Sequence, residues 1–409
     1  MSIFREIPPT AGIPFHAKEI FSAFTGKLPA GSLEDGLKEC LRLDHGRITN
    51  SGTTALYLIL ETLKEASPKR MVIIPSYICP LVPLAIARAG LKVKVCDITG
   101  RDFNFDPDEL ERICAGSNDI LAVVAAHMGG IPVDLDAVRK TAGRYGIFVI
   151  EDCAQSLGAR YKDRFVGQFG DLSFFSLARG KGLTIYEGGL LAANRKEFVK
   201  PIDAAITRMV KDKPLSEAVK ILELFGYWAF YRPGLFWFAF QLPQKFWMIL
   251  RDRIKANQDY YTADFPVHSV SAFRQRVGRL SLHRLEGAIK SQREKARYFM
   301  EALKGTEGIS FVKESVGDTA TYPFVTVIFD KKERRDTALA TLKDRGLGAS
   351  ILYLYPVTKL RYLSGIVPAE DSKGGDILAS RALTLSTSCY LDTKDLAAIA
   401  DTLKEKIEC

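Results

Sequence analysis

Short apolar segments alternate with amphipathic segments between residues 48 and 195. The apolar segments carry almost no polar side chains and are Val72–Ile74, Val93–Val95, Leu121–Ala125, Ile147–Ile150, Leu172–Phe175 and Gly189–Ala192. Between them, apolar residues recur at helical spacing in Thr53–Glu65, Leu81–Ala89 and Asp134–Tyr145. Nearly continuous apolar strands are typical of a sheet that is buried on both faces. The pattern therefore predicts an α/β domain with a mainly parallel central sheet flanked by helices.

The pattern changes after about residue 265. A long charged segment with helical spacing is followed by a strand-like segment and two further helical segments, which are Gly278–Leu303, Thr321–Phe329, Asp336–Arg345 and Lys394–Ile407. We therefore predict a large domain over residues 1–264, with an aromatic insert at about 195–264, and a smaller α+β domain over residues 265–409. A chain of 409 residues is long enough for two such domains.

The aromatic insert contains all three tryptophans of the chain. Its apolar run is interrupted by Arg232, Pro233, Pro243 and Lys245. No piece of it reaches the roughly 20 apolar residues that a membrane-spanning helix needs. Aromatic side chains next to basic ones are typical of membrane–water interfaces, which favours a peripheral membrane contact through residues 225–255. Packing at a subunit interface or over the mouth of an active site is the alternative, and both interpretations stay open.

Composition and charge exclude several classes of protein. A hydrophobic content of 47% and a charged content of 26% are typical of a globular protein. The net charge of +9 suits anionic ligands, but no dense basic run or nucleic-acid motif accompanies it, so we expect no nucleic-acid partner. Seven scattered cysteines without a CxxC pair predict reduced thiols and no metal site. Since the first residues lack the pattern of a secretory signal, we expect a cytoplasmic protein, membrane-associated only through the insert.

Three polar segments lie next to the predicted strands. The segment TNSGTTAL (49–56) opens into a helix and provides either a phosphate cradle or an ordinary helix cap. Asp152 and Gln155 follow an apolar strand, at the sheet edge where ligands of α/β proteins bind; Asp152 either keeps a heteroaromatic nitrogen protonated or caps a turn. Lys181 lies in a glycine-flanked loop after another apolar strand and is either an amine nucleophile or a solvated lysine.

A phosphate cradle, an acid and an amine together match the needs of pyridoxal 5′-phosphate. Their order along the chain resembles the pyridoxal-phosphate-dependent sugar aminotransferases of the DegT/StrS type, which have the aspartate-aminotransferase fold (fold type I). The resemblance runs from about residue 8 to the C-terminus, interrupted by the aromatic insert, and is strongest in SGTTAL (51–56), IARAGLKVKVCDI (86–98), HMGGIPVDLDAV (127–138), EDCAQSLGA (151–159) and SFFSLARGKGLTIYEGG (173–189). It implies a homodimer that uses pyridoxal 5′-phosphate.

The resemblance implies a role for each matching residue. Lys181 would form a Schiff base with the cofactor and later move protons. Asp152 would pair with the pyridinium nitrogen, and Gln155 would lie near the phenolic oxygen of the ring. The hydroxyl groups of Thr53, Thr54 and Ser176 would hold the phosphate. Gly52 would let the backbone approach the phosphate closely. His127 would line the site, either as a ligand contact or as a packed structural histidine.

The chain also departs from the family pattern. Cys79 stands where many relatives carry an aromatic residue that stacks on the cofactor ring, and Tyr77 is a candidate to replace it. A Gly-Tyr-Asn-Tyr-Arg element that supplies an asparagine to the partner subunit is missing near residues 266–269. Ala178 replaces a common histidine, and Tyr186 replaces a glycine. These differences affect the substrate and the contacts between subunits rather than Lys181.

The presence of Lys181 favours transamination, since related dehydratases carry a histidine there. The resemblance thus implies transfer of an amino group from glutamate or glutamine to a keto-sugar, typically nucleotide-linked, in polysaccharide or secondary-metabolite biosynthesis. Two alternatives stay open. One is amination of a non-sugar or lipid-linked ketone, and the other is a non-catalytic protein that senses the cofactor or acts as a membrane scaffold.

Overall fold

Seven strands form the larger sheet of the computed structural model, which describes residues 5–26, 29–239, 241–250 and 261–408. In chain order, and with a short hairpin (β6, β7) outside this sheet, the strands are Gly46–Thr49 (β1), Met71–Pro75 (β2), Lys92–Cys96 (β3), Ile120–Ala126 (β4), Phe148–Asp152 (β5), Arg160–Tyr161 (β6), Arg164–Phe165 (β7), Leu172–Ser176 (β8) and Gly189–Ala193 (β9). The spatial order is β1-β9-β8-β5-β4-β2-β3. Only β9 runs antiparallel to its neighbours, so the sheet is mainly parallel, as the sequence predicts.

Helices cover this sheet, and every residue of β4, β8 and β9 is buried. The helices up to residue 209 are Ala17–Thr25 (α1), Leu33–Leu41 (α2), Gly52–Ala66 (α3), Leu81–Arg88 (α4), Pro107–Ala115 (α5), Leu135–Arg144 (α6) and Val199–Met209 (α7). All strands and helices predicted between residues 48 and 195 are present, with ends that differ by a few residues. Strand β1 was not predicted because Arg47 and Thr49 interrupt its apolar pattern.

A second, smaller sheet follows in the C-terminal part of the chain. Its strands are Ile309–Phe311 (β10), Phe324–Phe329 (β11), Ala349–Ser350 (β12) and Ala382–Ser386 (β13). They are all antiparallel, in the order β10-β11-β13-β12, so this part is α+β as predicted. The sequence indicated only β11 because the other strands are short or lie next to helical patterns. The predicted domain limits at residues 264 and 265 remain a prediction.

The predicted long helix over Gly278–Leu303 is wrong as one element. Three pieces replace it: helix Ala272–Ser281 (α11), a 3-10 turn over Leu282–Arg284 and helix Leu285–Ala302 (α12). Around this turn, Ser281 and Arg284 both donate hydrogen bonds to Glu19 of α1, at 3.0 Å from Oγ and 2.7 Å from Nε. The apolar spacing continues through the turn, so the sequence pattern does not reveal it. The remaining helices are Lys332–Asp344 (α13), Lys373–Arg381 (α14) and Thr393–Glu408 (α15).

The part of the aromatic insert that follows residue 213 is called the aromatic segment. Its described residues form three helices, which are Pro214–Phe230 (α8), Pro233–Ala239 (α9) and Gln241–Ile249 (α10). Leu224 on the inner side of α8 is fully buried in a cluster with Phe15, Ile20 and Val277. Among the described residues, no helix has the length and apolar character needed to cross a membrane. Residues 251–255 of the predicted membrane contact lie outside the described residues.

A buried arginine joins α8 to the rest of the fold. Arg274 on α11 is completely buried and donates from Nε to a carboxylate oxygen of Glu217 on α8 at 3.0 Å. Its Nη1 donates to the backbone oxygens of Ile185 and Glu187, in the loop before β9. One guanidinium therefore ties α11, α8 and this loop together.

We expect Arg274→Met to lower the free energy of unfolding by about 3–5 kcal/mol, since it leaves Glu217 buried without its cationic partner. Urea denaturation measures this change. Arg208→Met is the matched control because the ion pair between Arg208 and Glu65 is exposed, and exposed pairs contribute about 1 kcal/mol at most. Equal losses in the two variants would contradict the role assigned to Arg274.

Candidate functional site

A cavity of about 660 Å³ lies at the carboxyl ends of the parallel strands. Strand β5 ends at Asp152 and β8 ends at Ser176, and both residues line the cavity. Eight of the nine predicted site residues share this lining, namely Gly52, Thr53, Cys79, His127, Asp152, Gln155, Ser176 and Lys181. The fold thus brings together residues that are up to about 130 positions apart in the chain, at the sheet edge where α/β proteins bind ligands.

Lys181 and Asp152 face this cavity with their charges close enough to affect each other. Burial lowers the pKa of Lys181, and the negative charge of the nearby Asp152 carboxylate opposes that shift. Burial likewise raises the pKa of Asp152, while its bond from the N–H of Ala154 and the positive charge of Lys181 oppose the shift. A half-buried amine and a buried carboxyl therefore face one space that a flat ligand can enter.

The start of α3 forms one wall of the cavity. Ser51 caps the helix by accepting a hydrogen bond from the N–H of Thr54 at 3.0 Å. A Cβ on Gly52 would lie 3.2 Å from the Cβ of Ser176, so glycine allows the helix to begin directly against the end of β8. The first N–H groups of a helix have no partners within it and favour anions. Together with the hydroxyl groups of Thr53 and Ser176, this wall has the chemistry of a phosphate site.

Thr54 is the one predicted residue that does not line the cavity. It is completely buried, and its hydroxyl donates to the backbone oxygen of Pro266 at 3.2 Å and accepts from the Ser51 hydroxyl at 3.1 Å. Successive helical residues point about 100° apart, and here Thr53 faces the cavity whereas the Thr54 hydroxyl faces Pro266. The structure therefore places the Thr54 side chain away from the site that the sequence assigned to it.

Pro266 also receives the amide of Asn50, whose Nδ2 donates to the same backbone oxygen at 2.9 Å. The chain near residues 266–269, where the asparagine element of the family is missing, thus packs on the start of α3 in its own subunit. Phe265 from this segment lines the cavity. A backbone and an aromatic side chain here occupy the neighbourhood of the expected phosphate site.

His127 is held in one orientation by two hydrogen bonds. Its Nδ1 accepts from the N–H of Val133 at 3.2 Å, so Nε2 carries the ring hydrogen and donates to Glu151 at 3.3 Å. Glu151 is itself completely buried and also accepts from the N–H groups of Phe169 and Gly170, both at 2.6 Å. The ring of His127 is therefore a fixed part of the cavity wall.

Sequence reasoning missed Glu151, although its position beside Asp152 at the end of an apolar strand was a usable signal. Glu151, His127 and Cys153 place possible metal-ligand atoms within 4.8 Å of one another. Burial raises the pKa of the Cys153 thiol well above its usual value, which disfavours the thiolate that a metal needs. Hydrogen bonds from His127 and the backbone already satisfy the carboxylate of Glu151. The cluster is explained without an ion.

Cys79 lines the cavity, and burial raises the pKa of its thiol to about 11. Tyr77, the candidate for ring stacking, does not line the cavity. Its hydroxyl donates to the backbone oxygen of Tyr353 at 3.1 Å and accepts from the N–H of the same residue at 3.0 Å. Tyr77 therefore supports the cavity wall from behind, and Tyr353, which the sequence did not single out, lines the cavity. Gln155 is anchored by accepting from the N–H of Gly129 at 2.8 Å.

Helix α8 adds a polar wall that sequence reasoning also missed. Lys220 and Glu223 of this helix line the cavity. The amine of Lys220 bonds to Glu223 at 2.9 Å and to Glu187 at 2.6 Å. Charged residues at i and i+3 in an otherwise apolar helix were the available signal. Part of the aromatic segment therefore belongs to the site.

Comparisons with known proteins agree with this geometry. Residues 25–214 and 269–404 match the model of the DegT/DnrJ/EryC1/StrS aminotransferase family. The UDP-4-amino-4,6-dideoxy-N-acetyl-beta-L-altrosamine transaminase of Campylobacter jejuni is 34% identical over 183 residues, which are 44% of this chain and 47% of that protein. The match thus spans about half the length of that relative. The Bacillus subtilis spore coat polysaccharide biosynthesis protein SpsC is 26% identical over 359 residues, 84% of this chain and 82% of that protein.

A solved structure of Helicobacter pylori PseC, described as an aminotransferase involved in the biosynthesis of pseudoaminic acid, superimposes with a TM-score of 0.75. It covers 99% of this chain and 100% of that chain at 17% sequence identity, which demonstrates a shared fold. The family match extends over more than half of the chain and omits residues 215–268 between its two segments. The chain belongs to the DegT/DnrJ/EryC1/StrS aminotransferase family and has the α/β fold of its pyridoxal-phosphate-dependent structural neighbours.

Proposed function

We propose that this protein is a pyridoxal-phosphate-dependent aminotransferase that moves an amino group from glutamate or glutamine to a keto-sugar. The acceptor is nucleotide-linked and belongs to polysaccharide or secondary-metabolite biosynthesis. The observation that carries the proposal is the pairing of the Lys181 amine and the Asp152 carboxyl around one cavity next to the start of α3. The family match and the relatives named as sugar transaminases support it.

The residues present fit the cofactor. Pyridoxal 5′-phosphate supplies an electron-accepting ring that allows nitrogen to pass between an amino acid and a ketone. Asp152 would hold the ring nitrogen, since a carboxyl deprived of water gains from a cationic partner. Ser176, Thr53 and the first N–H groups of α3 would hold the phosphate, where Gly52 leaves space that a Cβ would fill.

Lys181 is suited to joining the cofactor and to moving protons at its Nζ atom. Because burial lowers its pKa, a larger fraction of the amine is neutral near pH 7 than for an exposed lysine. A neutral amine forms a bond to a carbonyl carbon, with loss of water. When it is free, the same amine accepts a proton at Nζ, and the resulting ammonium returns that proton to another atom of the substrate. Asp152 stabilises positive charge nearby throughout this exchange.

The remaining wall suits a polar acceptor. Lys220, Glu187 and Glu223 form a charged network on one side of the cavity, and Arg179 lines the same space. Hydroxyl and phosphate groups of a nucleotide-linked sugar are complementary to such side chains. A lipid-linked ketone is the second candidate, favoured by the exposed apolar side chains on the outer face of α8.

The same proposal includes a cytoplasmic homodimer without nucleic-acid partners. The chain departs from the family pattern near residues 266–269. There the backbone oxygen of Pro266 accepts hydrogen bonds from Asn50 and Thr54 of the same chain. The phosphate site of this protein therefore depends less on an asparagine from the partner subunit than the family pattern implies. Peripheral membrane contact belongs to the proposal as well, with its described part on α8, α9 and α10.

We expect Lys181→Ala to abolish both the visible absorbance band of the protein loaded with pyridoxal 5′-phosphate and its response to glutamate, because the amine that binds the cofactor is lost. Absorbance spectroscopy of the purified chain measures both. Lys290→Ala removes an exposed lysine outside the cavity and should leave both unchanged. A retained band and a retained response in Lys181→Ala would refute the enzyme assignment.

A second experiment identifies the acceptor, using wild-type protein whose cofactor already carries the amino group. Nucleotide-linked keto-sugars are added one at a time, alongside lipid-linked and simple ketones, and return of the original absorbance band reports amino transfer. Recovery with nucleotide-linked keto-sugars alone supports the proposal. Recovery only with another class would replace the proposed acceptor, and no response to any amino donor would favour the non-catalytic alternative.

We expect Thr53→Val to weaken binding of pyridoxal 5′-phosphate by about tenfold, the effect of losing one hydrogen bond to a charged group. Titration followed by absorbance gives the Kd. Thr54→Val is the matched control, since the Thr54 hydroxyl points to Pro266 outside the cavity and its loss should affect stability more than affinity. An equal or larger loss of affinity in Thr54→Val would contradict this placement of the phosphate.

The raised pKa of Asp152 predicts a pH-dependent stability in the cofactor-free protein. A carboxyl with a higher pKa in the folded state binds protons preferentially there, so stability falls as pH rises from about 4 through the folded-state pKa. We expect Asp152→Asn to have a higher Tm than wild type at about pH 8 and a similar Tm near about pH 4, because the amide does not ionise. Thermal unfolding across this range measures the difference, with exposed Glu65→Gln as control. A constant difference at all pH values would contradict the burial of an ionised Asp152.

A further inference from the structure

Large hydrophobic side chains are concentrated on one exposed part of the molecule. Of the fifteen that are exposed among the described residues, ten lie between residues 215 and 250. They are Leu215, Val219, Leu222, Phe230, Leu235, Phe238, Leu242, Phe246, Ile249 and Leu250. Leu215 is 85% exposed and Ile249 is 80% exposed. Exposed apolar residues on soluble proteins are usually scattered, whereas a contiguous group marks a contact with a partner or a membrane.

Helix α8 is apolar on its outer face as well as at its buried position Leu224. Its charged residues Glu217, Lys220 and Glu223 face the protein, where they pair with Arg274 or Glu187 or with each other. The outer face of the same helix carries Leu215, Val219, Leu222 and Phe230. A helix of 17 residues is about 25 Å long, so this apolar stripe is extensive. Surface helices normally turn charged and polar residues to solvent, and the apolar outer face indicates that something apolar covers α8.

Two phenylalanines of α1 extend this surface. Phe21 and Phe24 are both exposed, and the ring of Phe24 stacks on that of Phe225 with their centroids 6.2 Å apart. We call Phe21, Phe24 and the ten exposed residues between 215 and 250 the outer apolar surface. The two segments of the family match leave out residues 215–268, which carry most of this surface.

The charges around the outer apolar surface distinguish between possible occupants. Between residues 214 and 250 the sequence has two acidic residues, Glu217 and Glu223, and both face inward. Arg232 is exposed within this stretch, and Lys211, Asp212 and Lys213 are exposed just before it, which leaves an excess of positive charge. Two copies that met through this surface about a two-fold axis would bring like charges together. Anionic lipid headgroups are instead complementary to a surface that is apolar and basic.

We propose that the outer apolar surface rests on an anionic phospholipid bilayer as a peripheral contact. Its aliphatic and aromatic side chains enter the headgroup region, and its basic residues meet anionic headgroups. The half-buried Trp237 and Trp247 lie in α9 and α10, which carry part of this surface. Tryptophan is enriched at membrane–water interfaces. Since the opposite face of α8 carries Lys220 and Glu223 of the cavity wall, the bilayer lies about one helix diameter, on the order of 10 Å, from the reaction cavity.

Sedimentation with vesicles tests the contact, using the full chain loaded with pyridoxal 5′-phosphate. We expect wild type to sediment with vesicles of phosphatidylcholine and phosphatidylglycerol, and to bind pure phosphatidylcholine more weakly. Leu222→Glu and Phe238→Glu should each weaken binding about tenfold or more, because each places a charge in the contact and removes apolar burial. Val316→Glu is the matched control, since Val316 is a fully exposed apolar residue outside this surface and its replacement should leave binding unchanged.

The visible absorbance band and the response to glutamate are recorded for every variant in the same samples. Retention of both in Leu222→Glu shows that the variant is folded and separates the membrane contact from the proposed reaction, which has its own test. Failure of wild type to bind anionic vesicles, or equal binding by Leu222→Glu, overturns the proposal. A lipid-free wild type that is larger than Leu222→Glu in analytical ultracentrifugation would also overturn it, because a second copy would then cover the surface.

Discussion

A half-buried amine and a buried carboxyl at the edge of the large sheet impose the main constraint on this molecule. Burial favours the neutral forms of Lys181 and Asp152, so the surrounding structure has to hold them where a ligand of complementary charge stabilises them. Strands β5 and β8 end at the cavity, and most of the side chains behind their ends are apolar and buried. The stability gained from the buried sheet offsets the cost of keeping two desolvated groups at its edge.

Less conspicuous residues keep this edge rigid. Glu151 holds the loop over residues 167–170 through backbone N–H groups and orients His127 on the other side. Arg274 similarly connects α8 with the loop between Lys181 and β9. Both are buried charges that would be costly alone, and both are surrounded by acceptors or donors that compensate them. The geometry of the site therefore depends on groups that never face the cavity.

Much of the fold and most of the site were predictable because their signals are local. Apolar runs identify central strands, and polar residues directly after them identify the ligand edge, which led to Asp152, whereas Ser176 came from the resemblance to the family. Thr54 and Tyr77 were placed less well because the direction of a side chain depends on helical phase and on distant partners such as Pro266 and Tyr353. The break in the helix at residues 282–284 and the cavity wall from α8 depend on tertiary contacts, which a periodic pattern does not contain.

Helix α8 limits how residues 215–268, which the family match leaves out, can be removed from the chain. Deleting residues 215–268 would remove Glu217 and leave the Arg274 guanidinium buried without a counter-ion. The same deletion would remove the ion pair between Lys220 and Glu187 and would expose one side of the cavity to solvent. Helices α8, α9 and α10 therefore cannot be removed as a unit, and their outer face can be altered without disturbing the cavity wall only by single substitutions that leave the inward-facing charges in place.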